Sequence, residues 1–455
     1  MSEARELPRR IVVAGDGALG VLAAIALRRA LPRTEIVVIA ITPDPAAFAE
    51  RIGTALPFTN RLHDRLGIEE DVLVSHAGAS HRLVMRYFGG GGPRNAETSA
   101  PPRSLGEVLA AAGRFAPPSG EADSPLADLD YALRWNVPAY RDVLIQMAQR
   151  LGVRHERAVI TGVVPDGAGG IAALAMDSGA QIAADLYIDC SGSGAMLLDQ
   201  LPEHRWLDGR GTFHARGLAI APTRGPMLAL EDRASWTPLG WRWEFAGRDG
   251  HQTYLAVPGG ASDQAIATAL GGEPAAIVPF APGRLEAAWL GNVIGLGSSV
   301  VELEPLGGIA QDLAHRQLAL LLELLPGRAV DPAERAEFNR RSALMADRAA
   351  DWIAAHYAAP APTAQFPSLA LSPELSRTLD QFMRRGRVPF AEEAPMLVQE
   401  LGALLQAIGV PQGQGPMAAA GAAAAEAAAI AFEERARAAL NAAPPYGEWL
   451  QRVTA

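Results

Sequence analysis

Hydrophobic and polar positions at the start of the chain form a strand, turn, helix, strand pattern. An apolar run at 10–14 leads into a glycine turn at 15–20, and a helical repeat separates it from a second apolar run at 35–41. This order predicts a βαβ unit with the spacing G-x-G-x-x-G. The first glycine allows a tight turn, the second lets a pyrophosphate approach the backbone, and the third lets the helix pack closely. The pattern therefore predicts dinucleotide binding at the helix N-terminus, by Gly15, Gly17, Ala18, Leu19 and Gly20.

The acid that usually binds the ribose of a dinucleotide is missing. The second strand of such a unit commonly leads to Asp or Glu, and Ala40 stands at that position here. One charge-assisted hydrogen bond contributes about 1.5–3 kcal/mol. We therefore expect the affinity for the dinucleotide to be lower by about one to two orders of magnitude, but not lost.

The rest of the chain alternates strands and helices before a helical tail. Helices are predicted at 57–66, 138–151 and 310–325. Three strands at 157–165, 170–177 and 184–192 are expected to meet in one small sheet, and the chain is expected to return to the nucleotide domain at D-C-S-G. A mostly β section follows and ends near 278. Residues 93–125 are rich in proline, glycine and serine, which predicts a mobile cover over the substrate side. The alanine-rich run 417–432 predicts a packed helix, because it is shorter than the roughly 18 apolar residues of a membrane span.

Composition and charge narrow the classes of function. The 455 residues include 40 basic and 50 acidic ones, a formal net charge of −10, which disfavours nucleic acid and anionic membranes as partners. Every basic residue is arginine, so a mechanism that needs a lysine amine is excluded. The single cysteine, Cys190, cannot form an internal disulfide and fits a reducing, cytoplasmic compartment. No His, Cys or carboxylate cluster has the spacing of metal ligands, so no metal site is expected.

Six segments, in the right order, resemble the flavin-dependent tryptophan halogenase family. They are the glycine turn, L-P-F-T-N-R-L-H-D-R-L-G-I-E-E-D at 56–71, Y-I-D-C-S-G at 187–192, G-W-R-W-E-F at 240–245, the run to E-P-L at 282–306, and D-W-I-A-A-H-Y at 351–357. The resemblance implies an α/β fold with a Rossmann-like FAD-binding domain of the flavin monooxygenase and halogenase type. It implies an FAD-binding module over 1–330, with substrate sections interleaved at about 57–135 and 200–280. A helical C-terminal region over 331–455 completes the substrate side.

The resemblance also implies a chemistry, and two of its residues are replaced in this chain. In the family, reduced FAD from a separate flavin reductase forms a hydroperoxide that oxidises halide, and a lysine assisted by a glutamate directs the oxidised halogen onto an aromatic substrate. Arg82 stands at the lysine position and Gly307 at the glutamate position. A guanidinium group donates hydrogen bonds but cannot supply a neutral amine. Arg82, with His81 beside it, is therefore the catalytic candidate, in a cavity expected to be shared with Gly307.

Further site residues follow from the same resemblance. FAD contacts are implied at Ala40, Gly295 and Leu306, and a substrate or halide side is implied at Trp241, Trp243, Gly307, Ile309 and Ala310. The backbone amides of Ile309 and Ala310 can hold an anion at a helix N-terminus, whatever their side chains. A fixed cation at Arg82 with no acid beside it favours carboxylate or phenolate ligands. Asp312 and His315 are expected on a solvated helix face, and Cys190 as a buried packing thiol.

Three functions remain open from the sequence. The first is an FAD-dependent oxidoreductase that acts on a small aromatic or heteroaromatic substrate through a flavin hydroperoxide, without lysine-directed halogenation. The second is a catalytically silent protein that binds flavin or another ligand. The third is a true halogenase that uses Arg82 in place of the lysine. The expected partners are the aromatic substrate and a flavin reductase, with a halide and a second copy of the chain as further candidates.

Overall fold

The chain forms two compact units, each built from three separated stretches of sequence. The computed structural model describes residues 6–41, 44–88, 104–118, 123–209, 211–358, 370–395, 398–414 and 422–454. The first unit comprises residues 1–77, 135–211 and 278–350, and the second comprises residues 78–134, 212–277 and 351–455. The predicted functional division, with substrate sections at about 57–135 and 200–280 and a helical region over 331–455, stays a prediction.

The elements of the described residues follow the predicted order. The strands are β1 (Arg10–Ala14), β2 (Glu35–Ile39), β3 (Ser80–Arg82), β4 (Val84–Phe88), β5 (Ala132–Arg134), β6 (Arg154–Glu156), β7 (Ile160–Pro165), β8 (Ile171–Met176), β9 (Gln181–Ala183), β10 (Leu186–Asp189), β11 (Trp206–Asp208), β12 (Ala215–Ile220), β13 (Glu231–Thr237), β14 (Gly240–Phe245), β15 (Gln252–Pro258), β16 (Ala276–Pro279), β17 (Gly283–Leu285), β18 (Trp289–Leu290), β19 (Val293–Gly295) and β20 (Val301–Glu302). The helices are α1 (Ala18–Ala30), α2 (Phe58–Arg65), α3 (Glu70–His76), α4 (Leu105–Ala112), α5 (Val137–Arg150), α6 (Asp263–Leu270), α7 (Ile309–Glu323), α8 (Pro332–His356), α9 (Pro373–Arg385), α10 (Val398–Ala407), α11 (Ala422–Ala442) and α12 (Tyr446–Thr454).

A six-stranded sheet forms the centre of the first unit, in the order β18-β19-β10-β1-β2-β6. The strands from β19 to β6 run parallel, and β18 is an antiparallel edge strand. Ile11, Val12 and Val13 in the central strand are fully buried, as expected for a parallel strand covered on both faces. The predicted βαβ opening is confirmed, and with it the Rossmann-like fold class.

The prediction that three strands form one small sheet is wrong for the third strand. The small sheet consists of β7, β8 and β9, whereas β10, predicted at 184–192, pairs with β1 in the large sheet. All four residues of β10 are buried, which suits an inner parallel strand. The true third strand, β9, has only three residues and none of them is buried, so the sequence pattern did not reveal it.

The second unit contains the β section that the tryptophans indicated. Its main sheet has the order β16-β12-β15-β14-β13-β4, with β4 parallel to β13 and the β12 to β15 strands in antiparallel pairs. A two-stranded sheet pairs β3 with β5. Helices α9 to α12 make up most of the tail. Within the described ranges, no helix has both the length and the apolar character needed to cross a bilayer.

Two predictions fall partly outside the described residues. Of the predicted cover at 93–125, residues 104–118 and 123–125 are described; they include α4, whose N-terminus is capped because Glu107 N donates to Ser104 Oγ. Of the alanine-rich run 417–432, residues 422–432 are described, and they lie in α11. The helix is confirmed for that part, but its packing is not, because residues 426–431 are exposed. The mobile cover stays a prediction.

Candidate functional site

The glycine turn lies between β1 and α1, as the sequence predicts. Gly15 has a φ of +116°, and a Cβ atom on it would lie 2.4 Å from the carbonyl oxygen of Cys190. A Cβ atom on Gly20 would lie 2.0 Å from the carbonyl oxygen of Gly15. Real side chains do not approach backbone oxygens this closely. The packing of β1, α1 and the Cys190 turn therefore requires glycine at both positions.

Replacing Gly20 by alanine is expected to destabilise the protein by about 1–3 kcal/mol, because the new methyl group fits only if α1 moves away from the turn. Gly447→Ala in α12 is the matched control, since nothing lies within 4 Å of its new Cβ atom. Alanine at a free helical position is neutral or stabilising by up to about 1 kcal/mol. Urea unfolding followed by circular dichroism measures both variants. Equal stability of the two would contradict the close packing at Gly20.

The amides at the start of α1 hold a carboxylate that the sequence did not indicate. Ala18 N donates to Glu50 Oε2 at 2.5 Å, and Leu19 N donates to Glu50 Oε1 at 2.9 Å. A Cβ atom on Gly17 would lie 2.5 Å from Glu50 Cδ, so the carboxylate rests directly on this glycine. Burial raises the pKa of Glu50, while the two amide hydrogen bonds act in the opposite direction. The helix N-terminus thus holds a carboxyl group at the place where such a turn binds a phosphate group.

Asp16, in the middle of the turn, is held by Arg141 of α5. Arg141 Nε donates to the carbonyl oxygen of Asp16 at 2.6 Å, and the guanidinium group also pairs with the Asp16 carboxylate. At the end of β2, Ala40 N donates to the carbonyl oxygen of Glu156 at 3.0 Å. The turn is therefore held in place through both backbone and side chain. The methyl group of Ala40 offers no acceptor to a ribose hydroxyl.

The D-C-S-G turn that follows β10 is organised by the carboxylate of Asp189. This residue is fully buried. One carboxylate oxygen accepts a hydrogen bond from Ser191 N at 3.0 Å, and the other accepts from Leu197 N at 2.9 Å and Leu198 N at 3.0 Å. Burial raises the pKa of the neighbouring Cys190 thiol, so it stays protonated and unreactive at neutral pH. By its accessible surface Cys190 is half-buried, so the buried packing role expected for it stays a prediction.

A cleft of about 580 Å³ in the first unit is lined by residues that follow β2 and β10. Its lining residues are Ile41, Asp44, Pro45, Ser191, Gly194, Met196, Asp199 and Gln200. Open α/β sheets bind ligands at the carboxyl ends of their strands, and ligand sites commonly measure about 300–1,000 Å³. The residues present therefore fit FAD. The two amides at the start of α1, which here hold the oxygens of Glu50, support this fit.

The E-P-L segment leads through two left-handed glycines into α7. Gly307 has a φ of +54° and Gly308 a φ of +85°, and α7 begins at Ile309. The amides of Ile309 and Ala310 therefore belong to the first turn of this helix. The Ile309 amide already donates to the carbonyl oxygen of Leu306, so it is not available to an anion in this structure. Upstream, Leu306 is buried, and a Cβ atom on Gly295 would lie 2.3 Å from Val300 Cγ1. The anion and FAD contacts expected at these residues stay predictions.

The expectation that Asp312 and His315 lie on a solvated face is wrong, because both are buried. Asp312 pairs with Arg316 at 2.6 Å. His315 Nδ1 lies 2.8 Å from Thr59 Oγ1 of α2. Leu313, Ala314 and Gln317 of α7 are buried as well, so the helix has no simple polar face for a pattern to reveal.

His63 of α2 joins the same buried cluster. Its Nε2 lies 2.7 Å from the Tyr140 hydroxyl, and its ring centroid lies 6.2 Å from that of His315. Burial lowers the pKa of His63 to about 4 and that of His315 to about 3. Both rings are therefore neutral at neutral pH. Nothing in the sequence pattern singled out His63.

In the second unit, Arg82 lies beside a buried acid. Arg82 is buried in β3, and its Nη1 lies 3.6 Å from Asp232 Oδ2. Arg134 of β5 donates to Asp232 Oδ1 at 2.8 Å. Asp232 is fully buried and Arg134 nearly so. The expectation of a cation with no acid beside it is therefore wrong, since one carboxylate is shared by two buried guanidinium groups.

His81 packs in an aromatic group of the second unit. Its ring centroid lies 4.0 Å from that of Phe115 and 4.8 Å from that of Trp449. Its Nδ1 lies 3.1 Å from the Tyr446 hydroxyl. The side chain is fully buried, so its observed contacts are those of a core residue. A catalytic role for His81 stays a prediction.

Trp241 and Trp243 point inward from β14 and contact Tyr87 of β4. Both tryptophans are buried, and their ring centroids lie 5.9 and 6.2 Å from that of Tyr87 in edge-to-face geometry. Trp241 Nε1 donates to the carbonyl oxygen of His356 at 3.1 Å. Among the described residues, no partner is recorded for Trp243 Nε1. The pair thus forms part of an aromatic wall, and its role toward substrate or halide stays a prediction.

No metal centre is seen in the part of the chain that the structure describes. There, no three side chains among His, Cys, Asp and Glu are grouped so that they could hold a metal ion.

Comparison with known proteins relates this geometry to one family. The sequence model of the tryptophan halogenase family matches residues 10–99 and 92–423. Tryptophan 7-halogenase KtzQ from Kutzneria sp. (strain 744) is 26% identical over 406 residues, which cover 77% of this chain and 76% of KtzQ. Tryptophan 7-halogenase RebH from Lentzea aerocolonigenes is 24% identical over 406 residues, which cover 76% of each protein.

Solved structures show the same fold. BrvH, a flavin-dependent halogenase from Brevundimonas sp. BAL3, superposes with a TM-score of 0.86 and 24% identity over 98% of this chain and 99% of BrvH. Xcc4156, a flavin-dependent halogenase from Xanthomonas campestris, gives a TM-score of 0.85 and 23% identity over 98% of this chain and 99% of that one. The family match extends over most of the sequence, and the fold agrees with it. The protein is an FAD-dependent oxidoreductase that belongs to the tryptophan halogenase family.

Proposed function

We propose that the protein oxidises a small aromatic or heteroaromatic substrate without lysine-directed halogenation. The surroundings of Arg82 carry this proposal. The guanidinium group shares the buried carboxylate of Asp232 with Arg134, and it stays charged at any working pH. It therefore cannot supply the neutral amine of a lysine, and Gly307 supplies no carboxylate.

The residues of the first unit bind and orient the cofactor in this proposal. The amides of Ala18 and Leu19 hold the pyrophosphate of FAD, and the cleft beside the D-C-S-G turn holds more of the molecule. FAD, reduced by a separate flavin reductase, supplies the oxidising chemistry together with dioxygen. The start of α7 holds an anion, either a halide or an anionic group of the substrate, through the amide of Ala310, because the amide of Ile309 donates to Leu306.

The residues of the second unit bind the substrate. Trp241 and Trp243 of the aromatic wall are buried, so they support the substrate region from within the unit and do not stack on the substrate themselves. A small aromatic ring is the substrate class that membership of the tryptophan halogenase family favours. Arg82 contributes hydrogen-bond donors, and its charge is partly balanced by Asp232. A second copy of the chain as a partner stays a prediction.

One reaction separates the three functions left open by the sequence. The purified protein is incubated with a flavin reductase, NADH, FAD, dioxygen and bromide over a panel of electron-rich arenes, and the products are identified by mass spectrometry. The proposal expects the addition of oxygen and no bromine. A brominated product identifies a halogenase that uses Arg82, whereas bound FAD with no product identifies a silent flavoprotein.

Restoring both family residues is expected to produce bromination. In the double variant Arg82→Lys with Gly307→Glu, some electron-rich arene should be brominated, whereas either single variant should gain little because the two groups act together. Glutamate at position 307 must adopt a left-handed backbone, since φ is +54° there, and this costs about 1–2 kcal/mol. Thermal unfolding therefore accompanies the product assay.

The matched control for this test is Arg86→Lys in β4, an arginine paired with Glu231. This variant introduces a lysine nearby in the sequence and should brominate nothing. Wild-type protein that brominates as well as the double variant would contradict the proposal. A folded double variant that binds FAD but forms no bromoarene would show that losses beyond positions 82 and 307 separate it from the halogenases.

A further inference from the structure

Glu50 occupies the two amides that the phosphates of a dinucleotide require. Its two carboxylate oxygens accept separately from Ala18 N and Leu19 N, at 2.5 and 2.9 Å. We propose that Glu50 is an internal competitor of FAD, so that FAD binds fully only after this side chain has left the start of α1. The inference rests on FAD being the cofactor, and it adds a residue that controls the affinity for it.

The carboxylate and a pyrophosphate cannot occupy this place together. The middle glycine of the turn leaves bare backbone for a phosphate, and the carboxylate carbon of Glu50 lies 2.5 Å from where a Cβ atom of Gly17 would be. The carboxylate therefore covers the same surface that the motif keeps open. Both groups need the same two amide donors, so each excludes the other from this place.

The segment around Glu50 is anchored, so the side chain itself is the part that must move. Glu50 ends one turn of 3₁₀ helix, Phe48–Glu50, and Phe48 is buried with its ring 5.4 Å from that of Phe280 in edge-to-face geometry. In the amide orientation that satisfies its hydrogen bonds, Gln311 of α7 donates to the carbonyl oxygens of Ile52 and Thr54 at 2.9 and 3.0 Å. Both flanks of Glu50 are thereby tied to the first unit. A rotation of the Glu50 side chain releases the amides without unfolding the segment.

Competition of this kind weakens FAD binding in addition to the loss of the ribose acid at Ala40. Affinity for a ligand falls by the fraction of molecules in which its site is free. A weakly held flavin suits an enzyme whose reduced cofactor must arrive from another protein and leave again. Glu50 therefore sets the balance between retention and exchange of FAD.

Calorimetric titration of oxidised FAD tests the proposal on the full-length protein. Glu50→Ala is expected to bind FAD about tenfold more tightly or better, because a carboxylate held by two amides no longer has to be displaced. Glu50→Gln keeps an acceptor but loses the charge, so a smaller gain is expected. Inorganic pyrophosphate serves as a second probe. Its affinities for the variants and the wild type should follow the same order as those of FAD, because the competition concerns the phosphate alone.

Glu35→Gln is the matched control. Glu35 also belongs to the first unit, but it lies at the first position of β2 and pairs with Arg10 and Arg154. Its removal changes the net charge equally and should leave the affinity for FAD unchanged. Circular dichroism and thermal unfolding without ligand verify the fold of each variant. If Glu50→Ala does not fold, Glu50→Gln and pyrophosphate decide the outcome.

The possible results separate this inference from the proposed function. Unchanged or weaker FAD binding by folded Glu50 variants, with binding by the wild type intact, overturns the competitor role alone. An equal gain in Glu35→Gln also overturns it, because a general charge effect then explains the result. Absence of FAD binding from every variant overturns both the competitor role and the FAD-dependent function.

Discussion

Replacing Asp232 by alanine is expected to lower the free energy of unfolding by about 3–5 kcal/mol, because it removes one partner of a buried ion cluster. Asp232 is fully buried, and Arg82 and Arg134, which share it, are 7% and 2% exposed. Two guanidinium groups would then remain buried without this carboxylate and would repel each other. Ala246 N would also lose its acceptor, which lies 3.1 Å away. Urea unfolding followed by circular dichroism measures the loss.

The neighbouring residue provides the control for Asp232. Glu231 also contacts two arginines, Arg86 and Arg233, and both of these arginines are partly exposed to solvent. Exposed ion pairs contribute about 0–1 kcal/mol, so Glu231→Ala should cost no more than that. A similar loss in both variants would show that burial of the cluster is not what makes Asp232 important. The contrast would also establish that Arg82 has a structural task besides any role toward substrate.

The stability of the protein is expected to fall as the pH decreases from about 6.5 to 4, because buried neutral histidines resist protonation. The pKa of His63 is lowered to about 4 and that of His315 to about 3, both mainly by burial, while an unfolded histidine titrates near 6.5. Below pH 6.5 the unfolded chain binds protons that the folded protein does not bind. The free energy of unfolding therefore decreases until the pH reaches the folded pKa.

The size of this effect follows from the shift. One pKa unit corresponds to about 1.4 kcal/mol, so His63 alone should remove about 3 kcal/mol between pH 6.5 and 4. His63→Gln cannot titrate and can still hydrogen bond to Tyr140, so its unfolding free energy should depend less steeply on pH than that of the wild type. His76→Gln, which removes a histidine at an exposed position, is the matched control. Parallel slopes for wild type and His63→Gln would refute the assignment.

The fold was predictable because its signals are local. Buried parallel strands are short apolar runs, and the turn at 15–20 shows its glycines directly in the sequence. Gly15 and Gly20 prove to be required because a Cβ atom on them would lie 2.4 and 2.0 Å from backbone oxygens, which is the packing reason that the motif itself implies. The pairing of β10 was predicted less well, because a strand's pattern describes its burial but not its neighbours.

For the candidate site, the sequence could predict which functional groups are missing. The sequence alone determined that no ribose acid stands at Ala40, that Arg82 cannot act as a lysine, and that Gly307 carries no carboxylate. Whether a functional group is missing at a position depends only on which amino acid stands there, so the sequence is sufficient to show it. Only the tertiary structure decided that Glu50 occupies the amides of α1 and that Asp232 lies between two arginines. These pairings join residues that are distant in sequence, and hydrophobic periodicity carries no information about them. The same reason explains His315, because α7 is surrounded by other elements and burial there leaves no polar face for the sequence to reveal.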